Sequence, residues 1–477
     1  MLAPSSSDPT PTPPTVLIVG AGLAGLLLAI LLEQINVPYL ILERAAVVKP
    51  LGSAMALGPN ILPIFEQLNL LDDLKSISKP YRSVDMYNQD LRPLGHINMD
   101  GHEQLVGYES LVFARPKLYE LLLSKVPAHK INNNKKVVQT DEKDDKVHIY
   151  CADGSHYQGD ILVGADGAYS CVRQSLYNQL DEKGILLKSD LKNFEFACIN
   201  MVGVSNPQQP ENYPQLKDEQ CHFTSVTAGL GDKGWTMITV PNNQICWILG
   251  VQLTKKQARA QRFGNAEWGP EAIDAMYNDF VDLPVPWGGT MGDIMKDTPK
   301  DHISKVFIED KVFKTWYHGN TVLIGDACHK LLPGAGLGAV NAMHDAVVLA
   351  NCIYNMKDSS RKSINSAFKE YYDQRYHRVG AHFKRSRAIT SAFGGRNWIQ
   401  RATRHMILHF VPKSIQKRSF IKSMEYRPQI AWLPLVPNYG KGRVLPQEGK
   451  RELLEDRQRR QRLEQLGIPD MGLAVAL

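Results

Sequence analysis

Three short clusters of glycine and aspartate carry the plainest chemistry in this chain. The first is Gly20-x-Gly22-x-x-Gly25, which follows the β-branched run VLIV and opens the apolar stretch LLLAILLEQ, with PYLILER beyond. That order reads as strand, turn, helix, strand. The first glycine allows a tight turn, the second lets backbone approach a diphosphate with no Cβ in the way, and the third lets helix and strand pack closely. The helix start offers unbonded N–H groups and partial positive charge to phosphate. Glu43 closes the second strand, eighteen residues past Gly25, where an acid accepts hydrogen bonds from a ribose. A carboxylate there repels a 2′-phosphate, so NADP is a poor fit.

The second cluster is DILVGADGAYSCVR (160–173), a buried-strand pattern ending in Asp166-Gly167, with Ser170 and Arg173 opening a helix. The third is TVLIGDACHKLLPGAGLGAVNAMHD (321–345). There a strand ends in Gly325-Asp326, a loop carries Pro333, Gly334, Gly336 and Gly338, and a helix carries Asn341 and Asp345. Asp326 suits a sugar or ribityl hydroxyl. The loop glycines let backbone approach a flat ring. The helix start aims positive charge at it, matching the negative charge of a reduced flavin at its N1–C2=O edge. Together the three clusters specify FAD rather than a simple dinucleotide. His329 is a candidate proton carrier, weighed against the commoner structural role of a histidine at a loop start.

On these residues the chain resembles the FAD-dependent monooxygenases of the para-hydroxybenzoate hydroxylase type, and among them the fungal enzymes of secondary metabolism. The stretch GSAMALGPN (52–60) and Arg115 in RPKLYELLL add to the resemblance, which spans about residues 15–360. It implies that Glu43 binds the adenosine ribose and that Arg44 and Arg115 lie near the FAD ribose and phosphates. It also implies that Asp166-Gly167 serves FAD and, transiently, NAD(P)H. Asp326 would hold the ribityl chain, Pro333 to Gly338 would cradle the isoalloxazine, and Asn341 would add a cofactor contact. The implied reaction reduces FAD with NADH or NADPH, forms a flavin C4a-hydroperoxide with O2, and hydroxylates or epoxidises an apolar or aromatic small molecule. The cofactor does the hard chemistry, so no catalytic triad or metal cluster is expected. Alternatives are an oxidase or dehydrogenase without oxygen insertion, a non-catalytic FAD scaffold, and a halogenase. The last rests on GWTMITVP (234–241), which partly resembles the halogenase stretch GWxWxIP but has Met237 and Val240 in place of its second Trp and its Ile.

The elements that position these residues come from the rest of the 477-residue chain, 43% hydrophobic and 22% charged, an ordinary globular composition. The fold class expected is α/β, or α+β overall. A Rossmann-type FAD-binding domain is assembled from 15–80, 105–190 and 305–360, with a mixed or antiparallel sheet substrate domain from 81–104 and 191–304, and a helical C-terminal region over 361–477. FEFACINMVGV (194–204), WTMITVP (235–241) and QICWILGVQL (244–253) read as antiparallel strands, with Asn242-Asn243 as a turn and 81–99 as an added hairpin. Trp235 and Trp247 either line a substrate pocket or fill the core. Residues 1–14 read as a disordered tail rather than a secretory signal. Val16 to Leu32 is the one apolar run at the edge of membrane-spanning length, and its internal order reads as strand and helix.

Net charge of +6 is too mild to argue for nucleic acid. Seven scattered cysteines without a C-x-x-C pair argue against a disulfide framework and for a reducing, cytoplasmic compartment. Residues 381–425 hold ten Lys or Arg and one acidic residue. Such a segment contacts an anionic membrane surface or is a solvated helix face. A Pro-rich extended wrap is expected over 427–440 and a charged helix over 450–467. The sequence leaves the oligomeric state open.

Overall fold

Four apolar residues, Val16–Val19, form the central strand of the nucleotide side. All are buried, as a strand covered on both faces must be. The strand pairs in parallel with Tyr39–Leu42 on one side and Ile161–Gly164 on the other. Thr321–Leu323 continues the parallel sheet beyond Ile161–Gly164, Tyr317–His318 closes that edge antiparallel, and Ile131–Asn132 closes the other. The helix Leu23–Gln34 buries ten of its 12 residues and packs against the helix Gly338–Tyr354. The apolar run is therefore a core strand and a core helix. Among the described residues no helix is long and apolar enough to cross a membrane.

The structure, a computed structural model, describes residues 13–48, 51–192, 194–227, 232–253, 270–395 and 397–447. The expected charged helix at 450–467 and most of the expected N-terminal tail lie outside these residues.

A second, eight-stranded sheet runs, in spatial order, His329–Lys330, Ser304–Val312, Glu195–Val204, Gln244–Gln252, Lys233–Val240, Phe223–Val226, Ser83–Tyr87 and Pro93–Asn98. The strands expected around 194–204, 235–241 and 244–253 are its centre. Asn242 and Asn243 turn between two of them at φ 62° and 55°, the left-handed pair that a tight hairpin needs. The segment boundary read at 304/305 cuts through Ser304–Val312, which pairs along Glu195–Val204. Its sequence, SKVFIEDKV, is too charged to announce a strand in the larger sheet.

One face of this sheet carries Trp235, Met237, Trp247 and Leu249 into a core with Met276, Phe280, Met291 and Ile294. On the other, Ile238, Val240 and Cys246 meet Val112 and Ala114. Those two belong to the strand Leu111–Ala114, which pairs with Ala54–Leu57 and Lys79–Pro80 between the larger sheets. Three helices follow, Arg361–Phe393, Trp398–His409 and Lys413–Ser423. The stretch expected to wrap the surface is tied down at Gln67, which donates to Ile430 O at 3.2 Å and Pro434 O at 2.9 Å and accepts from Ile430 N at 2.8 Å.

Candidate active site

The three glycine turns leave neighbouring parallel strands, so they emerge along one edge, where open α/β sheets bind ligands. Gly20 sits at φ +106°, and a Cβ there would stand 2.5 Å from Ala165 O, next to the second cluster. Gly25 is held by close packing, since its Cβ would fall 2.1 Å from Gly20 O. Glu43, at the end of the adjoining strand, accepts from Ala21 N and Ala45 N, both at 2.9 Å, one on each carboxylate oxygen. Each oxygen keeps a lone pair for another donor. Arg44 is exposed beside it. Arg115 is exposed as well, donates its N–H to Ser53 O at 2.8 Å, and runs its stem over Gly52.

The second and third clusters are stitched together. Asp166 Oδ2 accepts from Cys171 N at 2.7 Å and Val172 N at 3.2 Å. Burial pushes its carboxyl pKa up, against the pull of these bonds and of Ser170. Arg173 donates to Ala168 O at 2.7 Å and Ala327 O at 2.8 Å, bridging the two turns. Gly325 donates its N–H to Asp345 Oδ2 at 2.9 Å.

These residues fit an FAD. A Cβ on Gly22, Gly167, Gly336 or Gly338 would meet nothing within 4 Å, so backbone faces open space at all four. The helices Leu23–Gln34 and Gly338–Tyr354 both start with no side-chain cap and no acid in the first turn, leaving N–H groups for an anion. Asp166 Oδ1 is buried with no partner among the described residues. Asp326 is half-buried with no donor among them. Pro333 and Gly336 are exposed at the loop rim. Gly334 serves packing instead, because its Cβ would lie 2.4 Å from Thr390 Oγ1.

Two sequence candidates are spent on packing. Asn341 is fully buried, donates to Leu337 O at 2.8 Å, and accepts at Oδ1 from Arg375 Nη2 and His382 Nδ1, both at 2.9 Å. Its side chain has nothing left for a cofactor except its second amide proton. His329 is fully buried, with Nε2 2.5 Å from Asp345 Oδ2. Asp345 also takes Arg375 Nε on Oδ1 at 2.7 Å. Burial alone would push the Asp345 carboxyl pKa up, but His329 and Arg375 outweigh it and hold it at about 2. An ionised carboxylate only accepts, so His329 Nε2 carries the proton between them. Ligand atoms of Cys328, His329 and Asp345 lie within 4.8 Å of one another, but the carboxylate charge is already answered by Arg375.

The Asp345–Arg375 pair was missed by sequence reasoning. Its only signal is an acid inside the largely apolar helix stretch VNAMHDAVVLA, beside Asn341 and His344.

Trp235 and Trp247 prove to be core rather than pocket lining. Trp247 is fully buried and donates Nε1 to Thr298 Oγ1 at 2.9 Å, and Trp235 is 2% exposed in the same cluster. Odd-numbered positions in these strands face the covering helices. Even-numbered Thr236, Ile248 and Gly250, with Asn200 and Ser225 across the register, form a half-buried patch on the opposite face. That face is bounded by the strand Leu111–Ala114 and by the end of the long helix, where Gln252 Nε2 donates to Gly394 O at 2.7 Å.

A family model described as an FAD binding domain matches residues 14–266 and 289–384. The FAD-dependent monooxygenase ausM of Penicillium brasilianum is 29% identical over 446 residues, covering 89% of this chain and 88% of the relative. The FAD-dependent monooxygenase ausM of Aspergillus calidoustus is 30% identical over 395 residues, covering 80% of each. Among solved structures, Klebsiella pneumoniae HpxO complexed with FAD and uric acid superposes at TM-score 0.70 with 20% identity, over 87% of this chain and 97% of that one. The 2,6-dihydroxypyridine-3-hydroxylase of Arthrobacter nicotinovorans superposes at 0.63 with 18% identity, over 81% and 94%.

Proposed function

The chain belongs to the FAD-binding family and is an FAD-dependent monooxygenase, and from that premise we propose the reaction it performs. NADH or NADPH supplies the electrons, and one atom of O2 enters an apolar or aromatic small molecule by hydroxylation or epoxidation. The observation that carries this reading is the convergence of three glycine turns along one sheet edge, and the half-buried patch on the second sheet is the surface we assign to the substrate. Bound FAD supplies the redox chemistry.

The chain's own residues bind and orient. Glu43 accepts the ribose hydroxyls with its spare lone pairs, and the backbone around Gly22 and the helix start behind it meet the diphosphate. Arg44 and Arg115 are exposed cations that would serve the ribose and phosphates. Asp326 accepts from the ribityl chain, and Gly336 and Gly338 admit the ring. The half-buried face with Thr236 and Ile248 would cover the ring and keep water from it, as an oxygen-transfer site requires. The absence of a second complete GxGxxG fits a nicotinamide that visits and leaves. Seven free thiols support a reducing, cytoplasmic setting, and the fungal relatives support a substrate from secondary metabolism.

Purified protein is tested for NAD(P)H oxidation stimulated by candidate substrates under isotopically labelled O2. One labelled oxygen in the product is the expected result. Reduction of the flavin by substrate without nicotinamide overturns the reading in favour of an oxidase or dehydrogenase, and a halogenated product overturns it in favour of a halogenase.

A further inference from the structure

The helix Trp398–His409 is turned the wrong way round for one lying on a protein in water. Its one buried residue is Arg404, which donates to Thr227 Oγ1 at 2.7 Å and so holds the helix against the eight-stranded sheet. Outward it presents Trp398, 71% exposed, with Ile399, Met406 and, at its end, Phe410. At 100° per residue these four fall within an arc of about 120°. Ile415 follows in the next helix. A single exposed apolar residue means little. Here five of the sixteen large apolar side chains exposed among the described residues lie between 398 and 415.

Along the chain around this stripe the charge has one sign, and the nearest acids, Asp100 and Glu103, come from the neighbouring helix His102–Val106 and the turn before it. No acidic residue occurs from 374 to 424. Lys413, Lys417, Arg418 and Lys422 are exposed on Lys413–Ser423 and pair with no acid among the described residues. A protein partner of ordinary composition would not call for this excess of cations. Apolar side chains rimmed by lysine and arginine match a bilayer whose headgroups carry negative charge.

We propose that the helices Trp398–His409 and Lys413–Ser423 form a surface that lies on an anionic lipid bilayer. Trp398, Ile399, Met406 and Phe410 enter the interface, and the basic side chains of the second helix meet the headgroups. The inner side of the first helix touches Thr227 and, through Leu408, Gly95 of the eight-stranded sheet. Docking therefore sets the roof of the flavin site close to a phase in which apolar substrates collect.

The test uses the full-length flavoprotein and flotation with vesicles of phosphatidylcholine alone or with phosphatidylserine, read as bound fraction and independent of turnover. Binding to the phosphatidylserine vesicles is expected, at least about tenfold weaker on neutral ones and weakened by salt. Trp398→Ser with Phe410→Ser should abolish it. Lys413→Gln, Lys417→Gln and Arg418→Gln together should weaken it on the order of a hundredfold. These three side chains are exposed, so the triple variant keeps the test open if the first variant misfolds. Unchanged FAD content and melting temperature serve as controls. Failure to float with phosphatidylserine vesicles, or equal binding to neutral ones, overturns the proposal. So does self-association in sedimentation that the Trp398/Phe410 variant dissolves while no vesicle is bound, since the stripe then belongs to a second copy of the chain.

Discussion

The sheet built on Val16–Val19 carries the glycine turns, the mixed sheet ending in Pro93–Asn98 carries the patch proposed for the substrate, and the two are held by different means. Behind the glycine turns lies a buried polar network in which Asp345 pairs with Arg375, hydrogen-bonds His329 and grips Gly325 N–H. Behind the roof lies an apolar core in which Trp247 and Thr298 share a neutral hydrogen bond. The cofactor side must fix a turn to within fractions of an ångström, and directional charged bonds do that. The roof must accept a shaped apolar molecule, and packing suffices. The difference predicts that charge-directed insults strike the nucleotide side first.

The largest effect is expected from Asp345→Ala. It leaves the Arg375 guanidinium buried without its carboxylate, and losing one partner of such a pair costs about 3–5 kcal/mol. Denaturant unfolding measures the loss, and hydrogen exchange resolved by peptide locates it. Opening at 321–354 ahead of 233–252 sharpens the contrast between the sheets. Simultaneous opening breaks it, and the two are then one cooperative unit.

Acid is the milder form of the same insult. The folded pKa of Asp345, about 2, lies below that of an ordinary unfolded aspartate. The stabilisation is therefore fully present above pH of about 4 and is lost as pH falls through the folded value. It amounts to about 2 kcal/mol. Asp345→Asn should flatten this limb of the stability curve. Unchanged acid sensitivity in that variant would sink the assignment.

What the sequence made legible follows the same divide. Gly20, Gly22, Gly25 and Glu43 lie within one strand–turn–helix–strand unit, so spacing alone placed them. Asp345 and Arg375 are 30 residues apart on two helices, and no spacing rule tells how those helices are rotated toward each other. Alternation along 246–253, with Trp247, Leu249, Val251 and Leu253 against Cys246, Ile248, Gly250 and Gln252, shows two faces but not which one the later helices cover. A choice of phase moves every side chain to the other face, which is why Trp235 and Trp247 stayed ambiguous until Met276 and Ile294 were placed. Asn341 looked like a cofactor residue because it sits just after the glycine loop. It is committed instead to Arg375 and His382, residues of a helix whose inward face the sequence did not reveal.

Asp326→Ala tests the nucleotide side without touching its network. The side chain is half-buried and takes no bond from a described residue, so the fold should keep its melting temperature. Loss of one hydrogen bond to a charged acceptor should weaken FAD retention about tenfold, read as flavin content after dialysis. Wild-type flavin content would remove Asp326 from the site and leave the third cluster without its proposed ligand.

The smallest effect should appear on the roof. Ile248→Ala removes a half-buried side chain from the face with Thr236, where little packing is lost because the patch is open. Stability should change by less than about 1 kcal/mol, with FAD content unchanged, while KM for the substrate shifts a few-fold. Trp247→Phe is its counterpart on the covered face. Losing the bond to Thr298 in a sealed core costs about 1–3 kcal/mol and should leave KM where it was. A variant pair with the reverse pattern, KM moving for Trp247 and stability for Ile248, would mean that substrate enters the opposite face, and the roof would have to be redrawn on the side of Met276 and Ile294.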